Sequence, residues 1–314
     1  MKLSEAVEVF LDAKMADGLA LTTIGWYRQR LTRLTRYLDD CDLGAVDAMS
    51  LRRFLVSLRA QKVLYQQHPY REQEERELSP ATRNGYVRAM RTFFRWLTKE
   101  GCLGENPVEN IKLPRLPRTP PKDVTPETLA ALLRATAGDS PGQLRDRALI
   151  LFLADTGCRV GGLVGLRRRD LDLGERVAVV TEKGDKSRPV MFMATTAHAL
   201  KAYLNGRGID SEWVFPSLKT GERMAATSVN HILARVRARA GLDGERCNPH
   251  AFRHAFARQY ILNGGDLATL SDILGHADIT VTKSFYSKFQ FRELQAKHRQ
   301  YSPVAALDLG QAGE

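Results

Sequence analysis

Between residues 112 and 122 the chain reads KLPRLPRTPPK, and no other stretch limits its fold so strongly. Pro114, Pro117, Pro120 and Pro121 lack a backbone N–H and hold φ near −65°, so no helix can run through them. They favour polyproline II, whose rise of about 3.1 Å per residue would carry the segment over about 34 Å. That conformation has three residues per turn, which aligns Lys112, Arg115 and Arg118 along one edge. The chain therefore reads as two domains, 1–111 and 123–314, joined by a basic linker at 112–122. At 314 residues it is long enough for each domain to bury a core of its own.

The linker also concentrates charge. The formal net charge is +11, and residues 112–122 hold four basic residues and no acidic one. A polyanion such as DNA is the natural partner of that pattern, with a solvated basic surface as the alternative. The hydrophobic fraction of 43% and charged fraction of 26% are those of a globular protein. No apolar run approaches a membrane span, and Glu5, Glu8 and Asp12 interrupt the pattern a signal peptide would need. Cys41, Cys102, Cys158 and Cys247 are widely spaced, which fits reduced thiols in a cytoplasm better than a disulfide frame or a zinc knuckle.

Before the linker the periodicity is helical. LTTIGWYRQRLTRLTRYL predicts a helix with Thr22 or Thr23 as its cap, and SPATRNGYVRAMRTFFRWLTKEG predicts one that opens on Ser-Pro and closes on Gly101. In the second helix Tyr86, Met90, Phe93 and Leu97 share one face, while Arg88, Arg91 and Arg95 line another. An arginine ridge opposite a packed face suits a helix that reads phosphates or a groove; a merely solvated face competes with that reading. REQEERE at 71–77 is expected to be a mobile connection.

After the linker, Thr125-Pro126-Glu127 marks a helix start, and QLRDRALILFLADTG predicts a buried helix ending at Gly157. Two strands are expected at Val177–Glu182 and Arg188–Met193, around the turn Lys183-Gly184-Asp185-Lys186, with WVFP at 213–216 as a short third strand. Helical patterns return in SVNHILARVRARAG and PHAFRHAFARQYILNGG. The fold class is mainly α with one small antiparallel β-sheet.

Four stretches of this second domain stand out: TGCRVGGLVGLRRRDLDL at 156–173, EKGDK at 182–186, PHAFRHAFARQYI at 249–261 and LGHADITVTKSFY at 274–286. In this order and at these separations they resemble the catalytic domain of the tyrosine recombinases, the phage integrase family. The N-terminal helices and basic linker resemble that family's helical core-binding domain, so the resemblance covers nearly the whole chain. It implies DNA strand cleavage and rejoining through a 3′-phosphotyrosyl link, with double-stranded DNA as partner. Attack on a phosphodiester builds negative charge on the phosphoryl oxygens, for which planar, permanently charged guanidiniums are suited.

By resemblance, Arg159 and Arg253 are the two clamp arginines, and His250 and His276 bind the same phosphate, with His250 also able to accept the nucleophile's proton. A tyrosine titrates near pH ~10 and needs such help at neutral pH. Lys183 matches the hairpin lysine that protonates the departing 5′ oxygen, with Lys186 its rival on the same turn, and Tyr286 matches the nucleophile. The C-terminal segment 287–314 would dock on a neighbouring subunit of a tetramer exchanging strands between two sites. His250 and His254 are four apart, but Ala251 stands where a zincin needs glutamate, so no metal site is expected. No Gly-x-x-x-x-Gly-Lys-Ser/Thr loop is present, so no nucleotide cofactor is expected either.

Two features depart from the family pattern. Tyr286 stands ten residues after His276, where the common spacing of nine would select Phe285. Gly162 stands where the family has an acidic residue, three after the first arginine, so either the neighbouring groups are held more loosely or another acid substitutes. The alternative activities are a type IB topoisomerase-like DNA relaxing enzyme and a DNA-binding protein that does not cleave.

Overall fold

In a computed structural model of the protein, residues 1–60, 63–64, 74–75, 77–114, 124–182 and 186–275 are described. The chain forms two compact units, Met1–Thr119 and Pro120–Glu314.

The first unit contains α1 (Leu3–Ala16), α2 (Leu21–Tyr37), α3 (Ala48–Ala60), the two-residue antiparallel strands β1 (Val63–Leu64) and β2 (Glu74–Glu75), and α4 (Pro80–Lys99). Its core forms where the apolar faces of the helices meet at Phe10, Leu31, Leu34, Phe54, Phe93 and Leu97, all essentially inaccessible. Phe10 packs edge-on against Tyr27, Phe93 and Trp96 with ring centroids 5.3–5.5 Å apart, the geometry favoured by aromatic quadrupoles. Helix α4 starts as its Ser-Pro signal predicts: the Ser79 hydroxyl accepts from the Thr82 N–H, and Pro80 occupies a position where no N–H is required. The predicted cap of α2 does not form. Ala20 precedes the helix, and Thr22 and Thr23 lie inside its first turn, where they no longer occupy the capping position. Of the expected connection 71–77, residues 74 and 75 form β2 and 77 is irregular, while the rest lies outside the described residues.

The second unit begins with α5 (Pro126–Arg134), α6 (Pro141–Thr156) and α7 (Val160–Val164). A three-stranded antiparallel sheet follows in the order β3 (Leu171–Asp172), β4 (Val177–Glu182), β5 (Lys186–Met191). Then come α8 (Ala194–Gly206), α9 (Ala226–Arg239), α10 (Pro249–Leu262) and α11 (Leu267–Leu274). Thr-Pro, Ser-Pro and Asn-Pro steps open α5, α6 and α10 respectively, each with its hydroxyl or amide oxygen accepting from a first-turn N–H. The core gathers α6, the inner face of the sheet, α8, α9 and α10 around Phe152, Val180, Tyr203, Phe215 and Phe252, with Tyr203 and Phe215 stacked at 5.7 Å. Helix α11 sits on α10 through Ala257, Ile261, Leu270 and Leu274. The third strand is not WVFP: Trp213 and Pro216 make only isolated bridges to Arg167 and Arg223, and Leu171–Asp172 pairs with β4 instead. No helix among the described residues is long and apolar enough to cross a membrane.

Candidate active site

Alternation along β4 turns Ala178, Val180 and Glu182 toward the core and Val179 and Thr181 toward solvent. On β5, paired with it in register, Arg188 lies opposite Val180 and Val190 opposite Ala178, so Arg188 faces inward too. The sheet thus carries a carboxylate and a guanidinium on its buried face, beside the end of α6.

That end is built on one residue. Gly157 closes α6 at φ +57°, and a β-carbon there would lie 2.7 Å from Phe256 Cδ1 and 3.1 Å from Leu274 Cδ2. Only glycine combines the left-handed turn with this close approach. The turn delivers Cys158 into the core and Arg159 to the position before α7. Arg159 is half-buried; its guanidinium pairs with Glu182 Oε2, and its backbone N–H donates to Glu182 Oε1 at 3.2 Å. Arg188 Nη2 donates to Glu182 Oε1 at 3.1 Å, and its Nη1 donates to the Ile273 carbonyl.

Arg253 arrives from α10 and is almost fully buried, at 4% exposure. Its Nη1 donates to the Gly157 carbonyl at 2.9 Å and its Nη2 to the Leu274 carbonyl at 2.7 Å. One cation thus satisfies carbonyls at the C-terminal ends of α6 and α11, where orphan acceptors and the negative end of the helix dipole coincide. Burial, and then the neighbouring Arg159 and Arg188, push the Arg253 pKa down to about 9, which leaves it cationic at neutral pH. The same two causes, burial first and Arg188 second, lower Arg159.

His250 lies one turn before Arg253, where Asn248 caps the start of α10 by accepting from the Ala251 N–H at 2.9 Å. It is exposed at the mouth of a cleft of about 430 Å³ that is also lined by Val160, Arg246 and His254. Loss of water on its cleft side, then Arg253, Arg159 and Arg246, lower its pKa from 6.5, so at neutral pH it is uncharged and able to accept a proton.

Of the six residues singled out for chemistry, Arg159, Arg253 and His250 are therefore brought together, the first from the turn after α6 and the other two from α10. Lys183, His276 and Tyr286 lie outside the described residues, as do Arg115 and Arg118. Sequence reasoning missed Glu182 and Arg188. The signal was present: both fall on the inward face of their strands, where a charge needs a partner. Gly162 acquires a reason as well, because a β-carbon there would stand 3.1 Å from Val180 Cβ and 3.6 Å from Glu182 Cγ. An acid does stand beside Arg159, but it is Glu182 on β4.

In the first unit, Arg88 and Arg95 are exposed along α4, and Lys112 is exposed beyond it. Arg91 differs from the ridge expected of it, since its Nη2 donates to the Ile111 carbonyl at 2.6 Å and anchors the segment leading out of the unit. A shallow cleft of about 360 Å³ beside Arg88 is lined by Thr22, Thr23 and Trp26, and Arg30 stacks on the Trp26 ring at 4.1 Å.

A helical unit followed by a helical unit with a small sheet, in which guanidiniums converge beside a histidine, presents a site of the chemical kind suited to a phosphoryl group. Residues 122–293 match the model of the phage integrase family, and the chain belongs to that family; it is a site-specific recombinase of the tyrosine type. It is 32% identical over 306 residues to the tyrosine recombinase XerD of Proteus mirabilis, covering 95% of this chain and 92% of that one. The XerD of Yersinia pestis is 31% identical over 308 residues, covering 95% and 97%. Among solved structures, the Tn1549 transposon integrase in complex with transposon right end DNA has a TM-score of 0.74 at 20% identity, with 96% of this chain and 99% of that chain covered. A lambda integrase dimer bound to a core site has a TM-score of 0.71 at 17% identity, with 90% and 97% covered. At these identities the structural likeness speaks for the fold.

Proposed function

We propose that the chain cuts and rejoins double-stranded DNA at specific sites, with Tyr286 as nucleophile. The Tyr286 oxygen attacks the scissile phosphorus, the bond from phosphorus to the 5′ oxygen breaks, and a 3′-phosphotyrosyl link remains. His250 takes the phenolic proton, and Lys183 gives a proton to the departing 5′ oxygen. Arg159, Arg253 and His276 hold the phosphoryl oxygens as their charge grows. The phosphodiester's energy is kept in the new ester, so rejoining by a 5′-hydroxyl reverses the step without ATP or metal.

One observation carries this reading: Arg159, Arg253 and an uncharged His250, drawn from stretches about ninety residues apart in sequence, share one small region of the second unit. With Arg188 beside them, three mutually repelling guanidiniums share a single carboxylate among the described residues, Glu182, and such a cluster is costly to gather unless a further anion is to be bound. The first unit and the linker would grip the duplex through Arg88, Arg95, Lys112, Arg115 and Arg118, with Arg91 steadying the start of the linker. The relatives named XerD, and structures of integrases bound to DNA, support duplex DNA as the partner. The domain division 1–111, 112–122 and 123–314 belongs to the same reading, as does a cytoplasmic location for a chain whose four cysteines are free thiols.

We further infer a tetramer acting on two sites, with segment 287–314 docking on a neighbour. An apolar groove of about 560 Å³ in the second unit, bordered by Val124, Leu129, Phe252 and Phe256, suits an amphipathic segment. The deciding experiment is a duplex nicked next to the cleavage point, which releases a short product and traps the covalent adduct. Adduct with the native chain and none with Tyr286→Phe supports the reading. Adduct surviving in Tyr286→Phe moves the nucleophile elsewhere, and no adduct from either chain leaves a DNA-binding protein. Joint products from two sites, rather than relaxed circles alone, separate recombination from topoisomerase-like relaxation.

A further inference from the structure

Glu182 is an unusual residue to find at the inner end of a strand. Its side chain is only 6% exposed, and its two oxygens meet the Arg159 guanidinium, the Arg159 backbone N–H and Arg188. A buried carboxylate with three donors is part of the frame, unlike an exposed ion pair that forms and breaks with little effect. Its charge also has a function in the cluster. Arg159, Arg188 and Arg253 repel one another, and Glu182 lies against two of the three.

Beside this carboxylate stands Gly162. A side chain at 162 would start 3.1 Å from Val180 Cβ, a crowded contact, and 3.6 Å from Glu182 Cγ, in ordinary contact with it, so position 162 adjoins the space Glu182 occupies. Resting on the recombinase reading above, we propose that Glu182 is the positioning residue of Arg159, holding its guanidinium and backbone for the phosphate, and that Gly162 lets α7 lie close enough to β4 for Glu182 to do so. The glycine on α7 and the glutamate on β4 form a matched pair: a carboxylate borne on α7 at 162 and one borne on β4 at 182 would serve the same arginine from the same space. Arg159 has five N–H donors, so the carboxylate need not exhaust those available to a phosphate.

The test compares single-turnover adduct formation on the nicked duplex with affinity for the same uncleaved duplex, in the full chain. Glu182→Gln keeps the size and removes the charge; its adduct rate is expected to fall about 10- to 100-fold with duplex affinity little changed. Glu182→Gly is expected to fall at least as far. Adding Gly162→Glu to Glu182→Gly should return most of the lost rate, whereas adding Gly162→Ala, which fills the gap without an acid, should return none. A thermal melt of each variant confirms that it folds. A native rate in Glu182→Gln overturns the proposal, as does a faster one, which would make Glu182 a competitor of the phosphate. Equal rates for the Gly162→Glu and Gly162→Ala pairs also overturn it. If the native chain forms no adduct, the recombinase chemistry itself fails and this inference falls with it; adduct from the native chain with unaffected Glu182 variants sinks the inference alone.

Discussion

Replacing Gly157 with alanine should be among the most damaging small changes available to the second unit. The residue sits at φ +57°, where an alanine costs about 1–2 kcal/mol more than glycine. The new methyl would begin 2.7 Å from Phe256 Cδ1, 3.0 Å from its Cγ and 3.1 Å from Leu274 Cδ2. Contacts that short must be relieved by moving the ring and the end of α11, an overpacking cost of about 1–3 kcal/mol. The sum, about 2–5 kcal/mol, is a large share of the 5–15 kcal/mol typical of a native protein. At roughly 2–4 °C per kcal/mol for a unit of this size, the melting temperature should drop by roughly 4–20 °C. Differential scanning calorimetry of the DNA-free chain reads it, since the transition of the first unit serves as an internal reference. In a Phe256→Ala background the steric part should shrink, leaving a penalty nearer the backbone's own 1–2 kcal/mol. A Gly157→Ala chain melting within about 1 °C of native would refute the argument, because neither the left-handed turn nor the Phe256 contact would then matter.

Other outcomes follow from the same structure. Asp146 is buried and accepts from Arg145, Arg235 and Arg239; Asp146→Ala should cost about 2–3 kcal/mol by chemical denaturation, less than a fully buried pair because Arg235 and Arg239 are half exposed. Arg88→Ala and Arg95→Ala should leave stability unchanged and each reduce the salt dependence of duplex binding by about one ion, whereas Arg91→Ala should loosen residues 108–114 in hydrogen exchange by freeing the Ile111 carbonyl. His250 should titrate below 6.5 by NMR, so the acid limb of adduct formation should lie below that value. The unfolded chain binds this proton more tightly than the folded one. Stability should therefore fall as pH drops below 6.5 and on through the lower folded pKa, and His250→Gln should remove that part of the fall.

Much of this architecture is written in local chemistry. Ser-Pro, Thr-Pro and Asn-Pro steps mark four helix starts because a side-chain oxygen and a missing N–H solve the same end problem at adjacent positions. Alternation alone places β4 at Val177–Glu182, and Gly157 announces the end of α6. The failures are instructive for the opposite reason. Thr22 and Thr23 have capping chemistry but lie two and three residues too late, since the packing of Ile24 and Leu31 decides where α2 begins. WVFP has strand composition, yet the edge beside β4 goes to the nearer Leu171–Asp172, which costs less loop to close. Arg91 resembles Arg88 and Arg95 in spacing and differs only in having a carbonyl from 20 residues away within reach. At the candidate site, Arg159 and Arg253 are legible through the family resemblance, but the partnership of Glu182 with Arg159 spans 23 residues and appears only once helix and sheet are packed.

Arg253 ties the last carbonyls of α6 and α11 to one point, and both helices end there on left-handed glycines, Gly157 and Gly275. The end of α11 is therefore moored to the same guanidinium that stands beside Arg159. The ten-residue step from His276 to Tyr286, one longer than the spacing that would select Phe285, begins one residue past Gly275 at that mooring.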